Sequence, residues 1–243
     1  MHTMRQSIIA AVCGCGVVLS GALFIGGCSN DKSNTASGPV RGGELAEIDM
    51  KRATFEKSED PPLTAETHFA AGQLNETEGS IAGAIKQYQE ALKLNPKYIP
   101  ALYRLAFVYS QQREFASAFE MWNRYIDATD HSAVGYSNLG FCQELAGDRD
   151  AAEHSYLAGI EHEPTNQACR VNYGLMLTRQ GRIEEAKAQF GAVLSPAEAH
   201  YNIASVLQQQ GKKEAARAEF KEALKTDPKL VDAQTRLAEL DKN

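Results

Sequence analysis

The sequence predicts an all-α chain built as a series of antiparallel helix pairs, and three observations predict it. The first is a period. The stretches "AGQLNETEGSIAGAIKQYQEALKLNP", "LAFVYSQQREFASAFEMWNRYIDATD", "LGFCQELAGDRDAAEHSYLAGIEHEP", "YGLMLTRQGRIEEAKAQFGAVL" and "IASVLQQQGKKEAARAEFKEALKTDP" align at a spacing of 34 residues, broken by one shorter step before the last. The second is a fixed set of side chains within each unit: a small residue, an alanine twelve positions on, and a ring four after that. Small residues let two helix axes approach closely, and the ring, on the same helical face as the alanine, fills the space beside the crossing. The third is punctuation. Glycine stands where a first helix must stop, and proline stands where a second helix must end.

Each unit justifies its two helices in turn. Residues 65–98 carry Gly72, Ala84 and Tyr88, with Gly79 at the bend and Pro96 at the close. Residues 99–132 carry Ala106, Ala118 and Trp122. Residues 133–166 carry Gly140, Ala152 and Tyr156, with Gly147 and Pro164 as punctuation. Residues 167–196 carry Gly174, Ala186 and Phe190, with Gly181 at the bend, but Leu194 runs straight into "SPAEAHYNIA" and the unit is four residues short. Four residues are close to one turn of 3.6, so the next helix keeps its phase. Ser195 suits an N-cap, Pro196 a first helical residue and Glu198 the third position of a capping box, which predicts a compact turn without a domain break. Residues 197–230 carry Ala204, Ala216 and Phe220, with Gly211 and Pro228, and residues 231–243, "VDAQTRLAELDKN", read as a terminal capping helix.

This pattern closely resembles the tetratricopeptide repeat (TPR) family, over about Ala65 to Leu230. The resemblance implies a right-handed all-α solenoid of five helix-turn-helix repeats, each packing only on its neighbours. Against the family pattern the second repeat has Asp130 in place of the closing proline and Tyr125 where a small residue is usual. We therefore expect looser or shifted packing of the second repeat on the third.

Upstream of the repeats, "MHTMRQSIIAAVCGCGVVLSGALFIGG" has Arg5 as its one charged residue and an apolar run from Ile8 to Ile25. The run has the order of an n-region and h-region, and its length also fits a membrane span. Ile25, Gly26, Gly27 and Cys28 resemble the bacterial lipobox. That resemblance implies that residues 1–27 are a signal peptide, that cleavage follows Gly27, and that Cys28 is lipidated on its thiol and new amino group. Several acyl chains on one residue would make a lasting anchor, at about 0.8 kcal/mol per buried methylene. Ser29 after the cysteine resembles the outer-membrane sorting case, so the expected location is the cell envelope, on the outer membrane facing the periplasm. Residues 28–64 then read as the lipidated cysteine and a polar tether, with a reach of about 35 Å if unstructured. Within it Leu45, Ile48 and Phe55 share a helical face of the stretch Glu44 to Glu56, which reads as solvated linker, the alternative being that they dock as an extra helix.

Composition excludes several function classes. Without residues 1–27 the chain has a net charge of −7, so a basic nucleic-acid footprint is absent. Cys142 and Cys169 fit no paired zinc or redox spacing. They sit at different levels of neighbouring first helices, about 10 Å apart in axial rise, so two buried free thiols are expected rather than a disulfide. His68 and His200 share one packing position, and His154 and His162 are too far apart for a helical zinc pair. Lys213, Arg217, Lys221 and Lys225 form a stripe interleaved with Glu214, Glu219 and Glu222, which reads as a solvated face. No phosphate loop, nucleophile elbow or convergent carboxylate pair appears. We expect no enzyme, no cofactor, no metal and no small-molecule substrate.

The family binds ligands in the concave groove lined by its first helices. Carried onto this chain, the groove positions are Phe69, Tyr103, Phe107, Phe141, Val171, Leu175 and Tyr201, all apolar or aromatic. Asn138, Asn172 and Asn202 share one position of successive repeats and resemble the asparagine ladders with which some members hold a peptide backbone. Phe107, Phe141 and Leu175 stand where a carboxylate clamp needs a second asparagine, and Tyr103, Ser137 and Val171 where it needs lysine, which argues against recognition of a chaperone tail. The expected ligand is an apolar helix or extended segment of a partner protein. The expected function is a membrane-anchored scaffold, similar in architecture to lipoproteins that assist assembly of pili or secretion channels, the tight-adherence pilus family among them. The alternative is an accessory or regulatory subunit of a cell-wall or envelope enzyme.

Overall fold

A computed structural model describes residues 63–242, and among them every regular element is a helix. The lipobox, Cys28 and the tether lie outside the described residues apart from its last two positions. In chain order the helices are α1 (Ala65–Thr77), α2 (Ile81–Leu94), α3 (Ile99–Gln112), α4 (Phe115–Ala128), α5 (Ala133–Ala146), α6 (Arg149–His162), α7 (Gln167–Gln180), α8 (Ile183–Gly191), α9 (Pro196–Gln209), α10 (Lys213–Thr226) and α11 (Val231–Lys242). They pair as α1–α2, α3–α4, α5–α6, α7–α8 and α9–α10, each pair packing on the next, with α11 on α10.

The helix boundaries follow the local chemistry. Thr64 and Thr67 form a reciprocal cap on α1, Asp148 accepts from Ala151 N at 3.0 Å on α6, and Asn166 accepts from Cys169 N at 3.0 Å on α7. Gly79, Gly147, Gly181 and Gly211 lie at the bends within four repeats with φ between +76° and +93°. The second repeat reaches the same left-handed turn with Arg113 at φ +62°, a conformation that costs a non-glycine residue about 1–2 kcal/mol.

Within each pair the small residue and the ring meet as the spacing requires. A Cβ on Gly72 would lie 2.4 Å from the Tyr88 ring, and one on Gly174 would lie 2.6 Å from Phe190. Tyr88, Tyr156, Phe190 and Phe220 are fully buried, as are the alanines Ala84, Ala118, Ala152, Ala186 and Ala216. The core forms two apolar clusters. One joins α1 to α4 with Leu139 and Cys142 of α5, and the other runs from Ala133 and α6 to Leu240 of α11.

The joint between the second and third repeats is closed rather than loose. Gly135 of α5 makes room for the large residues of α4, since a Cβ there would lie 2.6 Å from Ile126 and 3.0 Å from Tyr125. Where the sequence has no closing proline, Asp130 and His131 turn the chain with φ of +52° and +62°. The His131 ring stacks on His162 at 5.2 Å and takes part in a 2.9 Å hydrogen bond with the Tyr136 hydroxyl.

The short fourth repeat also forms the turn its sequence describes. Helix α8 has nine residues against fourteen in α2, α4, α6 and α10. Leu194 N donates to Phe190 O at 2.8 Å, and Ser195 then opens α9 with a full capping box, its N–H donating to Glu198 Oε2 at 2.8 Å.

Cys142 and Cys169 are buried free thiols. Burial pushes both up in pKa, Cys169 to about 12, so neither is a ready nucleophile. The basic stripe of α10 is divided: Arg217 donates to Asp241 Oδ1 at 2.8 Å and to Leu240 O at 2.9 Å, and Lys225 meets Glu222. No group of three metal-ligating side chains occurs among the described residues.

Candidate functional site

The first helices α1, α3, α5, α7 and α9 present the positions carried over from the family, and the structure sorts those residues by what already covers them. Phe69 lies 5.5 Å from the Tyr88 ring and 5.6 Å from that of Tyr98. Tyr103 meets Trp122 edge-on at 5.3 Å and Tyr125 at 5.7 Å, and Tyr201 lies 5.7 Å from Phe220. Phe107 carries the Arg104 guanidinium 5.3 Å above its ring. All four are half-buried against the apolar clusters, as are Val171 and Leu175. Phe141 differs. It is half-buried but belongs to neither cluster.

The three asparagines share a sequence position but not a role. Asn202 is folded back on its own helix, donating to Glu198 O at 3.0 Å. Asn172 is buried and spends its amide on Ser137 Oγ of the preceding repeat, also at 3.0 Å. Asn138 is 8% exposed, and its carboxamide has no hydrogen-bond partner among the described residues. A buried amide gains from a partner. Asn138 is therefore the one of the three whose donors and acceptor are uncommitted.

Two apolar residues absent from the carried-over set lie on the same stripe. Val134 and Leu145 are 37% and 39% exposed. They stand seven residues before and four after Phe141, which places them on its face of α5. The signal was present in the sequence: "AVGYSNLGFCQELA" carries a single charged residue, Glu144, and spreads its apolar residues around the helix. A helix of that kind belongs in a buried setting.

Charge on this face is paired across repeats. Arg104 of α3 is bonded to Glu76 of α1. Arg179 of α7 donates to Glu144 Oε2 of α5 at 2.6 Å, while the other oxygen of Glu144 accepts from the Tyr156 hydroxyl at 2.7 Å. Burial, and then the Glu144 carboxylate, hold the Tyr156 hydroxyl well above the usual tyrosine range. A ligand carboxylate would have to displace one of these acids to reach a guanidinium. The arrangement suits an apolar ligand with amide groups to match Asn138.

Comparison with known proteins agrees with the geometry. The family models described as TPR repeat and tetratricopeptide repeat match residues 77–112, 100–128, 146–199 and 197–230. The general transcriptional corepressor ssn6 of Schizosaccharomyces pombe is 27% identical over 130 residues, which are 53% of this chain and 12% of that protein. Hsp70-Hsp90 organizing protein 3 of Arabidopsis thaliana is 28% identical over 106 residues, 44% of this chain and 19% of that protein. The chain thus spans a small part of the curated relatives it matches. Among solved structures, MamA superposes with a TM-score of 0.54 at 22% identity, covering 69% of this chain and 94% of that one. A TPR protein of Thermus thermophilus, TTC0263, superposes with a TM-score of 0.51 at 20% identity, covering 74% of this chain and all of that one. With its repeat register, its helix pairs and these matches in agreement, the chain belongs to the tetratricopeptide repeat family.

Proposed function

We propose that this chain is a membrane-anchored scaffold that holds an apolar segment of a partner protein against α3, α5 and α7. The observation that carries this reading is the apolar stripe of Val134, Phe141 and Leu145 on α5, left open beside the uncommitted Asn138. Pairing of Arg104 and Arg179 with glutamates favours a ligand without a terminal carboxylate. Assembly of a pilus or secretion channel is the setting suggested by the lipobox, the tether and a short repeat array in one chain.

The test separates binding from folding. Phe141→Ser is expected to leave thermal unfolding near wild type while losing partners captured from detergent-solubilised membranes, since an aromatic hot spot contributes about 2 kcal/mol or more. Phe107→Ser, which removes a ring packed on the core cluster, is expected to lower the melting temperature as well. If Phe141→Ser melts far below wild type, or captures the same partners, the groove assignment is wrong. The anchor is tested by labelled palmitate: incorporation by wild type and none by Cys28→Ala, with processing lost, is the expected result. Retention of residues 1–27 in the wild type would exclude it.

A further inference from the structure

The first helix of the array has an outer face that every later helix in the same register buries. Two residues after the small residue of each later first helix stand Val108, Cys142, Met176 and Val206, exposed by 2%, 1%, 1% and 3%. Leu240 of α11 occupies that position too, at 4%. The preceding repeat supplies the cover, as where Ser110 Oγ reaches Cys142 Sγ at 3.2 Å and where α10 lies on α11. In α1 the position is held by Leu74, which is 59% exposed. Three residues before it, Ala71 is half-buried where α5 has the buried Leu139. Small neighbours beside a leucine let a helix approach closely.

Charge narrows the chemistry of what fits. Helix α1 and its C-cap carry Glu66, Glu78 and Glu76, the last already bonded to Arg104 of α3, and no lysine or arginine. Glu78 lies four residues after Leu74, on the same face and exposed. The C-terminal end of the array shows one such contact: α11, which carries Asp232, Glu239 and Asp241 alongside Arg236 and Lys242, is covered by α10 with Arg217 bonded to Asp241. The upstream stretch Glu44 to Glu56 has four acidic and two basic side chains, so its charge repeats that of α1.

We propose that the outer face of α1, centred on Leu74, is a docking site for an amphipathic, basic helix of a partner protein, which extends the array by one more helix. This site is separate from the groove and does not depend on it. The occupant resembles α10: an apolar face of alanine and one ring, edged by Lys213, Arg217, Lys221 and Lys225 with Glu214, Glu219 and Glu222 between them.

A helix-stapled, fluorescent peptide with the α10 sequence, residues 213–226, serves as the probe, titrated into the full chain and followed by anisotropy. Binding to wild type is expected, with affinity at least about tenfold weaker for Leu74→Asn, the loss that about 1.4 kcal/mol represents. Phe141→Ser should bind as wild type does. A peptide carrying Lys213→Glu, Lys221→Glu and Lys225→Glu should bind more weakly at low salt, the difference shrinking as salt screens it. Because Leu74 is exposed, Leu74→Asn should melt with wild type, so a lost signal reports the face and not the fold. Equal affinity for Leu74→Asn, or no binding at all, overturns the proposal. So does Leu74-dependent self-association in sedimentation, which would assign the face to a second copy. Binding that appears only after deletion of residues 44–56 would assign it to this chain's own upstream stretch, with the same result.

Discussion

At the scale of single residues, the polar ends of the buried rings show how closely the repeats are matched internally. The Trp122 indole donates to Ser110 Oγ at 3.3 Å, and the Tyr156 hydroxyl to Glu144 Oε1 at 2.7 Å, each to the residue twelve positions earlier. Where the ring is Phe190 and needs no acceptor, Thr178 at that position bonds its own helix at Gly174 O instead, at 2.7 Å. Tyr88 breaks the series. Its hydroxyl and Glu76 Oε1, twelve residues apart, are both buried and both lack a partner among the described residues, and burial pushes the Tyr88 hydroxyl up to about 12. Removing a satisfied hydroxyl should cost about 1–2 kcal/mol, whereas removing an orphaned one should cost nothing or stabilise. Tyr156→Phe is thus expected to lower the urea midpoint and Tyr88→Phe to hold or raise it. Equal losses in the two variants would mean that the first repeat makes the same bond in solution.

At the scale of elements, the fourth repeat and the ends of the third each make a prediction. Four helix-forming residues inserted between Leu194 and Ser195 would restore the length of the other repeats, because they add close to one turn. Two residues would rotate α9 by about 200° relative to α8, at roughly 100° per residue, and turn Ile203 and Leu207 out of the core. The first insertion should melt close to wild type and the second well below it. Indistinguishable melting curves would count against the turn-deletion account.

The third repeat is tied at its open end by Glu163, whose carboxylate accepts from Ala133 N and from Asn166 Nδ2, both at 2.9 Å. The Ala133 amide, and then the Asn166 amide, hold its pKa below the usual carboxylate range. A carboxyl with a lowered folded value binds fewer protons than in the unfolded chain, so its contribution is complete above about pH 4.3 and fades as pH falls through the folded value. Melting temperatures of wild type and Glu163→Gln should therefore differ at neutral pH and converge in acid. A gap that stays constant to about pH 2 would rule out this ionisation as its source.

At the scale of the whole array, each repeat contacts only its neighbours, so damage at one end should stay there. Ending the chain after Asp227 removes Ala233 and Leu240 from the downstream cluster, together with the Arg217–Asp241 pair. Burying one leucine is worth about 1.5–3 kcal/mol. Amide exchange should accelerate in α9 and α10 and stay unchanged in α1 to α4. Uniform acceleration along the chain would show a single cooperative unit instead. The same logic bears on the two ends of the array, since α11 covers α10 with a charged outer surface while α1 leaves Leu74 open.

The sequence by itself determined the helix pairs, their register, the glycine bends, the compact turn at Ser195 and the pairing of small residue with ring, because each depends on local spacing along a helix of fixed pitch. It also carried Ile25, Gly26, Gly27 and Cys28, whose resemblance to a lipobox is a local pattern that needs no fold to be read. Tertiary structure decided what depends on distance across repeats. Tyr125 in place of a small residue suggested a loose joint, yet Gly135, ten residues on, accommodates it. Asn138, Asn172 and Asn202 are equivalent by position, and only their neighbours make one uncommitted, one tied to Ser137 and one folded back on its helix. Leu74 holds in α1 the place that Val108, Cys142 and Met176 hold, buried, in the later repeats. Its exposure arises because no helix among the described residues covers that face, a property of its place in the stack that no periodicity along the chain can encode.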